Sequence, residues 1–145
     1  MTRSVLDTNV LIRAAITPLG AVAPIILRLR EGKFTLIYSQ AIFDELVEKL
    51  ELPRIRNKYN LSKASIENFL AVLIAYGERV EPDRKVTVCR DPDDNHIIEV
   101  ALTGKAEFVV TGDEDLLVLH HYETIRFVTP REFLLELERR SQPDE

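Results

Sequence analysis

The stretch "SVLDTNVLI", from Ser4 to Ile12, decides how this chain is read. An apolar run is interrupted by Asp7, Thr8 and Asn9 and then resumes. An ionised carboxylate in apolar surroundings is costly unless it is paired or holds a cation. Asp and Asn also suit the junction where a strand ends and a helix begins. The stretch therefore predicts a buried strand from Ser4 to Leu6. Its carboxyl end carries either a turn or a functional acid.

Downstream, strand and helix signals alternate. The region to about Arg30 reads as helical, broken near Pro18 and Gly20 and ended by Gly32. "FTLIYS", from Phe34 to Ser39, predicts a second strand. Ser39 then stands as N-cap of "QAIFDELVEKL", where Ile42, Leu46 and Leu50 share one face and Pro53 closes the helix. Ser62 caps a long apolar helix to about Tyr76, which Gly77 terminates. "KVTVC", from Lys85 to Cys89, reads as a strand, followed by a helix from Pro92 to Gly104 and the strands "AEFVVT" and "TIRFV". Thr129, Pro130 and Glu132 form a capping-box start for the last helix. Alternation of this kind implies a central parallel sheet covered on both faces, a three-layer α/β/α sandwich. Residues 1–140 are expected to form one domain and 141–145 a frayed tail. In such sheets, ligands bind beyond the carboxyl ends of the strands.

Composition narrows the class. Hydrophobic residues at 46% and charged residues at 30% fit a soluble protein. The longest apolar stretch, "FLAVLIAY" from Phe69 to Tyr76, falls short of the roughly 18 residues of a membrane span. Asp7 interrupts what would be a signal-peptide core. The lone Cys89 excludes an internal disulfide and a Cys-rich zinc site, and fits the cytoplasm. A net charge of −5 argues weakly against nucleic acid. Acids gathered around divalent cations would invert that local field.

The acids fall in a pattern. Asp7 and Asp113 follow predicted strands, on the working edge of the sheet. Glu45 lies between Ile42 and Leu46, near the buried stripe, where it is a boundary ion pair or a site acid. In "RDPDDNHIIEVA", Asp91 before Pro92 reads as the cap, and Asp93 as an outward first-turn acid. Asp94, one turn before Ile97 and Ile98, faces inward. Asp7, Glu45, Asp94 and Asp113 can thus converge with no base close in sequence. Such a cluster either holds protons or binds hard cations, Mg²⁺ or Mn²⁺ rather than zinc. His96, His120 and His121 lack chelating spacing and read as surface or boundary residues.

"LDTNVL", Glu45 in the helix after the second strand, "RDPDDN" opening a helix and "TGDEDLL" after a later strand together resemble the PIN-domain nucleases. Within them the combination resembles the VapC-like toxins of bacterial and archaeal toxin–antitoxin pairs. The resemblance spans nearly the whole chain. It implies a cytoplasmic Mg²⁺- or Mn²⁺-dependent endoribonuclease with a PIN-like fold. It assigns Asp7, Glu45, Asp94 and Asp113 to the catalytic metal cluster. Asn9 and Thr111 match its orienting polar positions. Asp115 matches as a further acid, an outer metal contact or a cap on the short helix after it. Arg13 departs from the smaller residue that such sequences often carry, and meets either a phosphate or a surface acid. The basic run with Arg54, Arg56, Lys58, Tyr59 and Lys63 is either RNA or antitoxin contact or plain surface. The implied partners are RNA and an antitoxin protein, with no membrane, and a homodimer is left open. Two alternatives stand beside this. One is a non-catalytic PIN scaffold that binds RNA or protein, whose signature would be a missing acid. The other is a Mg-dependent small-molecule phosphohydrolase, disfavoured because a DxD pair would need Asp where Asn9 stands.

Overall fold

Two strands meet where the chain reverses its direction of travel across the sheet, and that junction positions everything else. In the computed structural model, which describes residues 1–17 and 20–141, six strands stand in the order β3-β2-β1-β4-β6-β5. They are β1 (Arg3–Leu6), β2 (Thr35–Tyr38), β3 (Gly77–Arg79), β4 (Phe108–Val110), β5 (His121–Tyr122) and β6 (Ile125–Val128). The first connections run outward from β1 to β2 and β3; the chain then crosses back to place β4 on the other side of β1. A crevice at the carboxyl ends of β1 and β4 is the switch point of such a sheet.

Eight helices flank the strands among the described residues: α1 (Thr8–Ile16), α2 (Ala23–Arg30), α3 (Gln40–Glu51), α4 (Pro53–Lys58), α5 (Lys63–Tyr76), α6 (Pro92–Thr103), α7 (Glu114–Leu117) and α8 (Pro130–Ser141). α2 packs with α5 and α8, while α6 lies across β1, β2 and β4. Right-handed crossovers place these two groups on opposite faces. Consecutive residues of the central strands, Val5 with Leu6 and Phe108 with Val109 and Val110, are accordingly all buried. Phe133 of α8 sits edge-on to Phe34 and Phe108.

Local capping chemistry holds as expected. Ser39 Oγ accepts from the Ile42 N–H at 3.1 Å and Ser62 Oγ from the Ser65 N–H at 3.0 Å. Thr129 and Glu132 exchange side-chain-to-backbone hydrogen bonds of 3.1 and 2.9 Å. Pro53 both follows the end of α3 and opens α4. The break expected at Pro18 lies outside the described residues, as do residues 142–145 of the expected tail. Ser141 is the last residue of α8.

One expectation needs correction. "KVTVC" is not a strand. The Val86 N–H donates to Glu99 Oε2 at 2.8 Å, and Val88 and Cys89 donate to Asn95 Oδ1 at 3.1 and 2.8 Å. Side chains of α6 take these donors, so this segment joins no ladder. The strand lies earlier, at β3, and Gly77, which ends α5 as expected, is its first residue. It is extended, with φ −105° and ψ 164°. Its lack of a side chain is steric: a Cβ there would lie 2.4 Å from the Leu73 carbonyl oxygen and 2.8 Å from the Tyr38 ring. Gly77→Ala is expected to destabilise the protein by about 1–3 kcal/mol, measured by denaturant unfolding, because backbone and a packed ring must both give way. The sheet is parallel, as expected, except at one edge. β5 pairs antiparallel with β6 through a tight turn that holds Glu123 at φ 53°. That turn lacks the Asn-Gly or Asp-Gly signal that would have marked a hairpin.

Candidate metal centre

Each acid reaches the sheet edge by its own local device. Asp7 follows β1 and precedes α1; its N–H still donates to Val110 O at 2.9 Å, so the backbone is part of the sheet when the side chain leaves it. Asp94 is placed by the start of α6. There Asp91 caps the helix, its Oδ1 accepting from the Asp93 N–H at 2.9 Å. Asp93 is exposed and Asp94 is buried to 8% exposure, the sorting that helix geometry predicted. Asp113 caps α7, accepting from the Asp115 N–H at 2.9 Å. The cap of that short helix is thus Asp113, not Asp115.

Asp94, Asp113 and Asp115 each offer a carboxylate oxygen within 4.8 Å of the others, the one such set among the described residues. Asp7 and Glu45 stand outside it. Asp7 joins through a relay: Thr111 Oγ1 donates to Asp7 Oδ2 at 2.8 Å and accepts from the Asp113 N–H at 3.0 Å. Thr111, fully buried, therefore ties the two strand-end acids together.

Burial and neighbouring charge raise the pKa of two of these acids, Asp94 and Asp7. Burial first, then the carboxylates of Asp113, Asp91, Asp7 and Asp115, push Asp94 from 3.8 up to about 6. Asp7 is also raised, chiefly by burial and further by Asp113. The Thr111 hydroxyl and the nearby N–H groups of Asn9 and Thr8 oppose the rise. Three clustered carboxylates without a histidine or cysteine donor are an all-oxygen set, and such sets suit hard divalent cations. A surface cavity of about 550 Å³, lined by Arg3, Lys33, Lys105 and Arg140, opens elsewhere, at the strands' amino ends. Cavity size does not mark the chemistry here.

Two comparisons with known proteins bear on this arrangement. A family model described as PIN domain matches residues 3–115, from the first strand to the last acid of the cluster. The chain belongs to the PIN domain family. It is also 34% identical over 143 residues to the uncharacterized protein MJ1680 of Methanocaldococcus jannaschii, covering 93% of this chain and 91% of that one. PIN domains are generally nucleases acting on nucleic acid, and they typically use divalent metals.

The remaining expected residues of this PIN domain are placed less centrally. Glu45 is half-buried and pairs with Lys49 at 3.2 Å, the boundary ion pair of the more ordinary reading. It also accepts a long 3.4 Å hydrogen bond from Thr8 Oγ1, which links it to the residue after Asp7. The Asn9 side chain is exposed; it is the backbone of Asn9 that acts on the Asp7 carboxylate. Arg13 is exposed on α1, lining a surface cleft with Pro130 and Leu134 of α8. In the basic run, Arg54, Lys58 and Lys63 are exposed, and Arg56 and Tyr59 are half-buried. Lys58 Nζ lies 5.3 Å from the centre of the Tyr59 ring, and Lys63 pairs loosely with Glu67 at 3.9 Å.

Sequence reasoning missed several residues that shape the site. Asn95 and Glu99 of α6 clamp the chain just before Arg90 and Asp91. His96 Nε2 lies 2.8 Å from Ser39 Oγ, joining α6 to the capped start of α3. A base also stands beside the cluster, since Arg90 Nη2 lies 3.3 Å from Asp115 Oδ1. "RDPDDN" carried that arginine in plain view. Only the fold shows which acid it meets.

Proposed function

We propose that this chain is a Mg²⁺- or Mn²⁺-dependent endoribonuclease, residues 1–140 acting as one domain. We further propose that it is the cytoplasmic toxin of a toxin–antitoxin pair, silenced by an antitoxin protein. The observation that carries the enzymatic reading is the Asp94, Asp113 and Asp115 set, with ligand oxygens within 4.8 Å and an Asp94 raised to about 6. Carboxylates gathered so closely repel one another, and a hard cation relieves what protonation otherwise must. The toxin role is supported by the motif resemblance alone.

In this reading Asp94 and Asp113 are the principal ligands and Asp115 an outer one, while Asp7 completes the set from the strand side. Thr111 holds Asp7 Oδ2 and so fixes the orientation of that carboxylate. Glu45, tied to Thr8, is the most remote of the proposed acids. A divalent cation held here would lower the pKa of water and offset the charge that develops on a transferring phosphate. The protein's own part is to hold these oxygens in place and to aim the RNA phosphate at them.

Purified protein incubated with a pool of structured RNAs is expected to cleave with Mg²⁺ or Mn²⁺ and to stop in excess chelator. Undiminished cleavage in chelator would overturn the metal mechanism. RNA binding without cleavage in either metal would favour the non-catalytic scaffold.

A further inference from the structure

We propose that Arg90 is a phosphate-binding residue of this site. Its guanidinium, paired here with Asp115, turns to the non-bridging oxygens of an RNA phosphate once divalent cations engage the carboxylates. The inference rests on the nuclease reading above.

Three features carry it. Arg90 Nη2 lies 3.3 Å from Asp115 Oδ1, so a cation already sits against one of the three clustered carboxylates. The two side chains are 88% and 58% exposed, and an exposed pair of that kind is weak and easily exchanged. The backbone beneath is held on both sides. The Cys89 N–H donates to Asn95 Oδ1 at 2.8 Å, and Asp91 caps α6. A long, exposed arm on an anchored base can leave Asp115 without leaving the site. Arginine's planar fork also matches two oxygens of one phosphate, which no lysine does.

The proposal makes two predictions of opposite sign. Arg90 and a divalent cation compete for Asp115 and repel each other, so Arg90→Gln should bind Mn²⁺ more tightly, by about two- to fivefold in calorimetry without RNA. The same variant should lose about tenfold or more in kcat/KM on RNA, chiefly through KM, and its salt slope for RNA affinity should fall by about 0.7. Arg90→Lys should keep the Mn²⁺ affinity of the unaltered protein and recover only part of the RNA loss. Arg84→Gln serves as the control, since Arg84 pairs with Glu123 at 2.8 Å and not with the cluster. It should change neither quantity. Unaltered protein that cleaves while Arg90→Gln cleaves equally well would overturn the Arg90 proposal and spare the nuclease reading. Weaker Mn²⁺ binding in Arg90→Gln would also overturn it. Failure of the unaltered protein to cleave any RNA overturns the nuclease reading itself, and the Arg90 role with it.

Discussion

Asp94→Asn is expected to eliminate RNA cleavage and, at pH 7 without metal, to make the protein more stable. Both effects come from one carboxylate. Its proposed place as a principal ligand makes a loss of at least roughly a thousandfold in turnover the expected result, about 4 kcal/mol of barrier. The stability gain follows from the raised pKa. A carboxyl at 3.8 unfolded and about 6 folded binds more protons in the native state between those values. Stability then falls as pH rises, because the slope follows the protons bound by the unfolded state minus those bound by the native one. Below about pH 4 the group contributes nothing. Above about pH 6 the full penalty, on the order of 2–3 kcal/mol, is present. Asparagine removes it, so the variant's stability should be flatter than the parent's between pH 4 and 6, by denaturant unfolding in chelator. Asp91→Ala should instead lose about 1 kcal/mol as a lost cap. Asp93→Asn should change little. Were Asp93→Asn the inactive variant and Asp94→Asn an active one, the inward placement of Asp94 would have no catalytic meaning.

Asp7→Asn is expected to abolish cleavage while leaving the fold and its unfolding midpoint intact or improved. Asparagine keeps an oxygen for the Thr111 hydroxyl, which sits 2.8 Å from Asp7 Oδ2, and removes a charge that burial already opposes. Thr111→Val tests the other half of the relay. It preserves shape but leaves a buried carboxylate oxygen and the Asp113 N–H without their partner, and should cost about 2–3 kcal/mol. Calorimetric Mn²⁺ titration of both variants separates the roles. Asp7→Asn should weaken Mn²⁺ binding while staying folded. If it unfolds instead, Asp7 is a structural acid and the opening motif carries no catalytic weight.

What could be determined from sequence alone was whatever depends on neighbours along the chain. Caps bond within three residues, so Ser39, Ser62, Asp91 and the Thr129–Glu132 box were legible as written. Helix periodicity sorted Asp93 outward and Asp94 inward for the same reason. The alternation of elements implied the α/β sheet and its working edge.

Tertiary structure decided whatever depends on partners far apart in sequence. "KVTVC" has the composition of a strand, yet Asn95 and Glu99 claim its N–H groups, while the short "GER" of β3 pairs with β2, its Gly77 leaving room for the Tyr38 ring and the Leu73 carbonyl. Propensity is a property of a segment, and pairing is a property of where its neighbours stand. The site divides the same way. The sequence marked the acids, but not that Asp115 joins Asp94 and Asp113, nor that Arg90 meets Asp115. Those contacts depend on how α6 and α7 sit around the ends of β1 and β4. Charge interactions act over a few ångströms of space, and spacing along the chain does not report them.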